Sequence, residues 1–373
     1  MTKQKIESRL VQLGNRSDER TGAVSTPIYL STAYEHQGLG ESTGFDYSRT
    51  KNPTRQILED GIADLENGHA GFACSSGMAA IQLVLSLFNS GDSLIFSADV
   101  YGGTYRLLKQ YEERYNIKAS YSDFTPTDAI EALITKDTKA IFIETPTNPL
   151  MQVIDIPTYA ELAEKHGLLF IVDNTFLTPY LQQPLELGAD IVIHSATKYI
   201  GGHNDVLAGL VVAKDENVSE LLETNHNAAG GVLSPADSYL VVRGLKTLGI
   251  RMDRHEKNAK KIVEYLERND TVRNVLYPGI GGMLSFRLHD ANLINPFLQN
   301  LRLITFAESL GGVESFITYP TTQTHADMPL EDRLKRGVDD RLLRFSVGIE
   351  HVDDLISDLE QVFRKINRNP ITN

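Results

Sequence analysis

Residues 191–198 read IVIHSATK: an apolar, largely β-branched run, then Ser195, Ala196 and Thr197, then the amine of Lys198. Upstream, residues 168–175 read LLFIVDNT, a second apolar run that ends in Asp173 and Thr175. Strands covered on both faces read as continuous apolar runs, and a parallel sheet gathers their polar last residues at one edge. A carboxylate, a lysine and several hydroxyls are thus delivered to the ends of two strands. Working outward, SLIFS, KAIFIET and LAGLVVAK are further short apolar runs, and helical patterns cover 78–87 and 104–115. Strand and helix in alternation predict an α/β fold with a mainly parallel, doubly wound sheet.

The rest of the chain divides by texture. Residues 1–48 hold little apolar periodicity and are rich in Gly, Ser, Thr and Pro, which predicts an extended arm. A helical face through Ile57, Leu58, Ile62 and Leu65 stops at Asn67-Gly68 and opens the α/β domain, residues 49–234. After Ser234-Pro235 come a long helical pattern and short strand-like pieces such as MLSFRL and RLLRFSVGIE. These predict a smaller C-terminal α+β domain, residues 235–373.

Composition narrows the function class. The chain has 373 residues, 41% hydrophobic and 23% charged, which is ordinary for a globular protein with a large core. A formal charge of -13 repels nucleic acid and anionic membranes. The amino terminus lacks the apolar stretch of a signal peptide, no run approaches the ~20 residues that span a bilayer, and one cysteine, Cys74, suits a reducing compartment. A cytoplasmic enzyme without nucleic-acid or membrane partners is expected. No metal-ligand spacing occurs among the histidines, so no metal is expected.

Three fittings then suggest pyridoxal 5'-phosphate. A desolvated Lys198 is neutral more readily and condenses with an aldehyde. Asp173 taken alone reads better as a loop acid or helix cap, but beside Lys198 it can keep a pyridine nitrogen protonated. Ser76-Gly77-Met78 leads into a helix whose free N–H groups attract an anion, with Thr175, Ser195 and Thr197 supplying hydroxyls. Such a helix start is equally a plain cap. Tyr101, ahead of Gly102 and Gly103, can stack on a flat ring or simply fill a turn. Tyr47 and Arg49, where the arm meets the α/β domain, are placed to reach a neighbouring subunit's phosphate or are plain surface residues. Arg344 alternates away from Leu343 and Phe345 and needs an anion, either a substrate carboxylate or an internal partner. Asn148 can hold the same carboxylate or make a turn with Pro149.

The segments DYSRTKNPT, SSGMAA, VYGGTYR, ETPTNPL, VDNTF, HSATKYIGGH and LLRFSVGIE, in this order over nearly the whole chain, resemble the trans-sulfuration enzymes of cysteine and methionine metabolism. The resemblance implies a fold-type I pyridoxal phosphate-dependent transferase, with Lys198 binding the cofactor and acting in catalysis beside Tyr101. It places Asp173 at the ring nitrogen, and Gly77, Met78, Ser195 and Thr197 at the phosphate. Tyr47 and Arg49 would complete the phosphate site of the next subunit in a homotetramer built as a dimer of dimers. Arg344, Asn148 and the backbone near Ser315 would bind the substrate carboxylate. Gly103 stands where methionine γ-lyases have cysteine, and Glu314 is matched to a glutamate of γ-replacing and γ-eliminating members. The first fifty residues look most like bacterial cystathionine γ-synthases that also act as O-acetylhomoserine thiolyases. The implied reaction is γ-replacement on O-acetyl- or O-succinylhomoserine by cysteine or sulfide, giving cystathionine or homocysteine for methionine biosynthesis. Cystathionine γ-lyase activity and a non-catalytic cofactor-binding relic are the alternatives.

Overall fold

The computed structural model describes residues 4–124, 126–326 and 328–368. A seven-stranded sheet comprises β1 (Ala70–Cys74), β2 (Ser93–Ser97), β3 (Lys118–Ser122), β4 (Thr138–Glu144), β5 (Leu169–Asp173), β6 (Ile191–His194) and β7 (Gly209–Ala213). Its order is β1-β7-β6-β5-β4-β2-β3. β3, β2, β4, β5 and β6 run parallel, while β7 is antiparallel to both β6 and β1. Two apolar cores cover its faces. One gathers Ile143, Val172, Val192 and Leu210, the other Phe96, Phe142, Ile171 and Ile193, as alternation along each strand requires. The α/β architecture thus matches the fold expected from the sequence. Two strands went unseen there: β3 is an edge strand with no fully buried residue, and β1 lies inside the segment read for its helix start.

Helix boundaries follow local chemistry. Asn52 caps the helix Pro53–Glu66, accepting from the N–H groups of Thr54 and Arg55, and Asn67 ends it at φ 59°. The helix Gly77–Leu85 is capped by Ser76, whose side chain accepts from Ala79 N–H.

A second sheet holds β8 (Val272–Leu276), β9 (Met283–Leu288), β10 (Thr305–Phe306), β11 (Phe316–Thr318) and β12 (Leu342–Ser346), in the order β10-β11-β12-β9-β8. The residue near which a new domain is expected, 235, opens the helix Pro235–Leu245. Val241, Val242, Leu245, Leu248 and Met252 still pack with the first sheet, whereas Ala259, Ile262 and Leu266 pack with β9 and β12. The change of core therefore falls inside the helix Leu248–Glu267. Between Thr21 and Asn52 there is no helix or strand, only an isolated bridge between Ala33 and Tyr47. Val24 and Leu30 are each more than 70% exposed in this stretch, and Leu39 is fully exposed.

Candidate active site

The carboxyl ends of β4, β5 and β6 open on a cavity of about 260 Å³. Parallel strands deliver their last side chains to one edge, so Glu144, Asp173 and the SATK turn meet there. The start of the helix Gly77–Leu85 forms one wall, and Arg344 of β12 with Ser309 forms the opposite one. Beneath the turn, His194 Nε2 stands 2.6 Å from Glu66 Oε1 with both side chains fully buried, tying the end of β6 to the helix Pro53–Glu66.

Lys198 projects into this space and forms no ion pair among the described residues; its Nζ stands 3.5 Å from Ser309 Oγ, and Glu308 is the acid whose charge reaches it. Burial, then the nearby Arg344 charge, pull its pKa down to about 8. A substantial neutral fraction at neutral pH is what a nucleophilic amine requires. Asp173 is buried, and its Oδ1 accepts from Thr175 N at 3.0 Å and Thr175 Oγ1 at 2.5 Å. Burial raises its pKa, and the two Thr175 bonds pull it back. The same Thr175 hydroxyl accepts from Ser195 N at 2.8 Å, so one threonine spaces both strand ends.

The helix start fits a phosphate closely. Ser76 caps Ala79, leaving the N–H groups of Gly77 and Met78 without an internal acceptor among the described residues. A Cβ on Gly77 would lie 2.8 Å from Ser195 Cβ and Oγ, so only glycine lets the helix start and the serine share this space. Thr197 lines the cavity and is also tied to the chain beside it. Its hydroxyl donates to Ala208 O at 3.2 Å and accepts from Ala208 N at 3.0 Å, so here it braces the lysine turn against the chain entering β7. Tyr101 lines the cavity, its backbone N–H donating to Glu144 Oε2 at 3.0 Å. A Cβ at Gly103 would meet the Tyr101 ring at 2.5 Å and Met78 Sδ at 2.8 Å, so no cysteine fits there with the ring so placed.

Arg344 is 2% exposed and forms no ion pair among the described residues, although the charges of Glu308 and Glu144 reach it from a distance. Its NH1 donates to Asn148 Oδ1 at 2.9 Å, and its NH2 to Ser309 O and Thr318 Oγ1 at 3.0 Å. Its buried Nε has no hydrogen-bond partner among the described residues. A desolvated cation served only by neutral acceptors is a site for an anion.

Two expected residues lie elsewhere. Ser315 gives its N–H and hydroxyl to Glu350 at 2.7 and 2.9 Å, and its carbonyl accepts from Thr305 N. Glu314 accepts from Asn204 Nδ2 at 2.7 Å, and neither residue lines the cavity. Glu308 and Ser309 line it instead. The segment ESLGGVES carries Glu-Ser twice, and the structure brings the first pair to the site. Tyr47 and Arg49 are also outside this cavity: Arg49 donates to Asn227 Oδ1 at 3.0 Å and sits over the Tyr47 ring at 5.6 Å. Their loop is fastened by Arg55, which donates to the carbonyls of Ser48, Arg49 and Thr50. Glu144, Glu308, Ser309 and Thr324 are polar cavity residues that the sequence reading missed, as were the apolar Ile81, Phe176, Leu207 and Leu310. The one available signal was an acid ending an apolar strand at Glu144.

The donor set suits pyridoxal phosphate: a buried amine in no ion pair and a buried carboxylate with Oδ2 uncommitted, both among the described residues, and an anion cup at a helix start. Residues 7–364 match the family described as Cys/Met metabolism PLP-dependent enzyme, PLP being pyridoxal phosphate. The cystathionine γ-synthase/O-acetylhomoserine (thiol)-lyase of Bacillus subtilis is 60% identical over 99% of both chains. The cystathionine γ-synthase of Haemophilus influenzae is 60% identical over 97% of this chain and 98% of that one. The structure of cystathionine γ-lyase from Lactobacillus plantarum, complexed with L-serine, superposes with a TM-score of 0.95 at 45% identity, covering 98% of this chain and all of that one. With the family matched over residues 7–364 and relatives 60% identical along nearly the full length, the chain belongs to the PLP-dependent enzymes of cysteine and methionine metabolism.

Proposed function

We propose that this enzyme catalyses γ-replacement on an O-acylhomoserine, with cysteine or sulfide as the incoming thiol. The observation that carries this reading is the pairing of Lys198 with an uncompensated, buried Arg344 in one cavity, beside relatives at 60% identity that bear synthase names. Pyridoxal phosphate, when bound, supplies the electron sink that makes the substrate α-proton acidic. Arg344 and Asn148 bind the substrate carboxylate. With the cofactor and substrate bound, the Lys198 amine would take the α-proton, pass it on and then take a β-proton; the acyloxy group would leave the γ-carbon as its carboxylate, the incoming thiolate would form the new C–S bond there, and the protons would return by the same route. Asp173 holds a proton on the ring nitrogen. Tyr101 serves as a second acid or base beside the leaving group, while Gly77, Met78, Ser195 and Thr197 line the phosphate end and Thr175 holds Asp173 in place. Glu308, exposed on the same wall, sets a negative charge where the ammonium of an incoming cysteine has to approach.

The test is product identification with O-acetylhomoserine plus cysteine, O-acetylhomoserine plus sulfide, O-succinylhomoserine plus cysteine, and cystathionine alone. Cystathionine or homocysteine from the first three arms, at rates well above breakdown in the fourth, is expected. Faster cleavage of cystathionine than synthesis would overturn the proposal.

Arg344→Ala is expected to raise KM for the acylhomoserine by about 10²-fold, the loss of two or more charge-assisted hydrogen bonds in a dry site, with a smaller change in kcat. Steady-state kinetics decide it, and an unchanged KM would remove Arg344 from the carboxylate site. The proposed assembly is a dimer of dimers in the cytoplasm, in which Tyr47 and Arg49 serve the neighbouring cavity. The exposed apolar side chains of the arm, Ile28, Leu30 and Leu39, support it. No helix among the described residues is long and apolar enough to cross a membrane.

A further inference from the structure

Glu144 and Asp173 end adjacent parallel strands and are paired in register. Their side chains therefore leave the same face of the sheet, from backbones roughly 5 Å apart, and both reach the cavity. The charged and titratable groups that face Glu144 are Asp173 on β5, Asp99 after β2 and Arg344 on β12. Two buried carboxylates this close do not both ionise. Hydrogen bonds decide which one holds the charge, because donors aimed at a carboxylate favour its ionised form. Asp173 accepts two, from Thr175 N and Oγ1, whereas Glu144 accepts one, from Tyr101 N. The proton consequently belongs on Glu144. Burial, and next the Asp173 charge, hold the Glu144 carboxyl well above the usual carboxylate range, in keeping with this order.

We infer that Glu144 is a positioning residue of the active site: it pins the Tyr101 backbone beside the cavity while remaining neutral, so that Asp173 alone carries the negative charge of the pair. The inference rests on the reading of Tyr101 and Asp173 as ring contacts. The bond from Tyr101 N to Glu144 Oε2 joins the start of the helix Gly102–Tyr115 to the end of β4, and the Tyr101 side chain itself makes no hydrogen bond among the described residues. The ring is thus oriented by its backbone and by packing against Gly103 and Met78.

Full-length protein loaded with pyridoxal phosphate provides the test, in Glu144→Gln, Glu144→Ala and Glu144→Asp, with Tyr101→Ala alongside. A bound planar chromophore gains circular dichroism from the fixed asymmetric groups around it, so the dichroism of the visible band reports ring packing independently of turnover. Gln keeps a neutral carbonyl acceptor; dichroism and kcat close to wild type are expected. Ala removes the acceptor, and Asp is too short to reach Tyr101 N. Both should keep the visible absorbance, lose most of its dichroism and lose about 5- to 150-fold in kcat, with KM moving far less. Should Ala not fold, Asp carries the comparison. Wild-type dichroism and kcat in Glu144→Asp, or loss of both in Glu144→Gln, would overturn the inference. If Tyr101→Ala leaves the dichroism unchanged, the reading of Tyr101 as a ring contact fails and the inference falls with it. If that variant lowers the signal and the Ala and Asp variants do not, only the role of Glu144 is refuted.

Discussion

Lys198→Ala is expected to abolish the visible absorbance of the protein incubated with pyridoxal phosphate and to lower turnover by at least about 10⁴-fold. In the proposed mechanism the amine is both the attachment point and the base that moves the α- and β-protons, and among the described residues no second amine lines the cavity to replace it. Residual activity above a hundredth of wild type would refute the assignment. The same variant separates function from folding. A lysine whose folded pKa is lowered to about 8 binds fewer protons in the folded than in the unfolded chain. Its burial therefore opposes folding most below pH 8, and the opposition fades as pH rises towards the unfolded value near 10.4. At pH 7, without cofactor, Lys198→Ala should melt no lower than the wild type by calorimetry. In the wild type, the rate of cofactor attachment should climb with pH, pass its midpoint near pH 8, where half of the amine has lost its proton, and level off above that.

What the sequence disclosed and what it withheld separate along physical lines. The runs ending in Asp173 and Lys198 were legible because a strand covered on both faces leaves no doubt about its apolar stretch, and its polar last residues stand out. Gly77 was legible as part of a helix start, and the structure adds that Ser195 occupies the space a side chain would need. The Glu-Ser repeat was not legible. Only the packing of the loop between β10 and β11 decides that Glu308-Ser309 faces the cavity while Ser315 is bonded to Glu350. Thr197 shows the same limit in another form, since a hydroxyl that lines the cavity can also be tied to a backbone neighbour such as Ala208. The antiparallel run of β7 was also hidden, because direction is set by connection geometry and the strand's composition is that of its parallel neighbours.

Asp173→Asn should keep the visible band, since Lys198 and the phosphate cup are untouched, yet lower kcat by between about 10² and 10⁴-fold. The carboxylate lies in a buried position where Thr175 already occupies Oδ1, so a cationic ring nitrogen is the partner that completes it. Removing one member of such a desolvated pair leaves the other charge unpaired, at a cost of about 3–5 kcal/mol. Each 1.36 kcal/mol is a factor of ten in rate, which sets the range. The amide cannot keep the nitrogen protonated, and an unprotonated ring is a poor acceptor for the electrons of the α-carbanion. Because the loss falls on the proton-abstraction step, a substrate deuterated at the α-carbon should show a larger isotope effect on kcat in the variant than in the wild type. Glu144 sharpens the expectation. With a neutral amide at position 173, Glu144 no longer faces a charged partner in register on β5 and should ionise more readily in the variant. It would substitute only poorly, being committed to Tyr101 N. A variant that retains more than a tenth of wild-type kcat with full cofactor would show that ring protonation does not depend on Asp173.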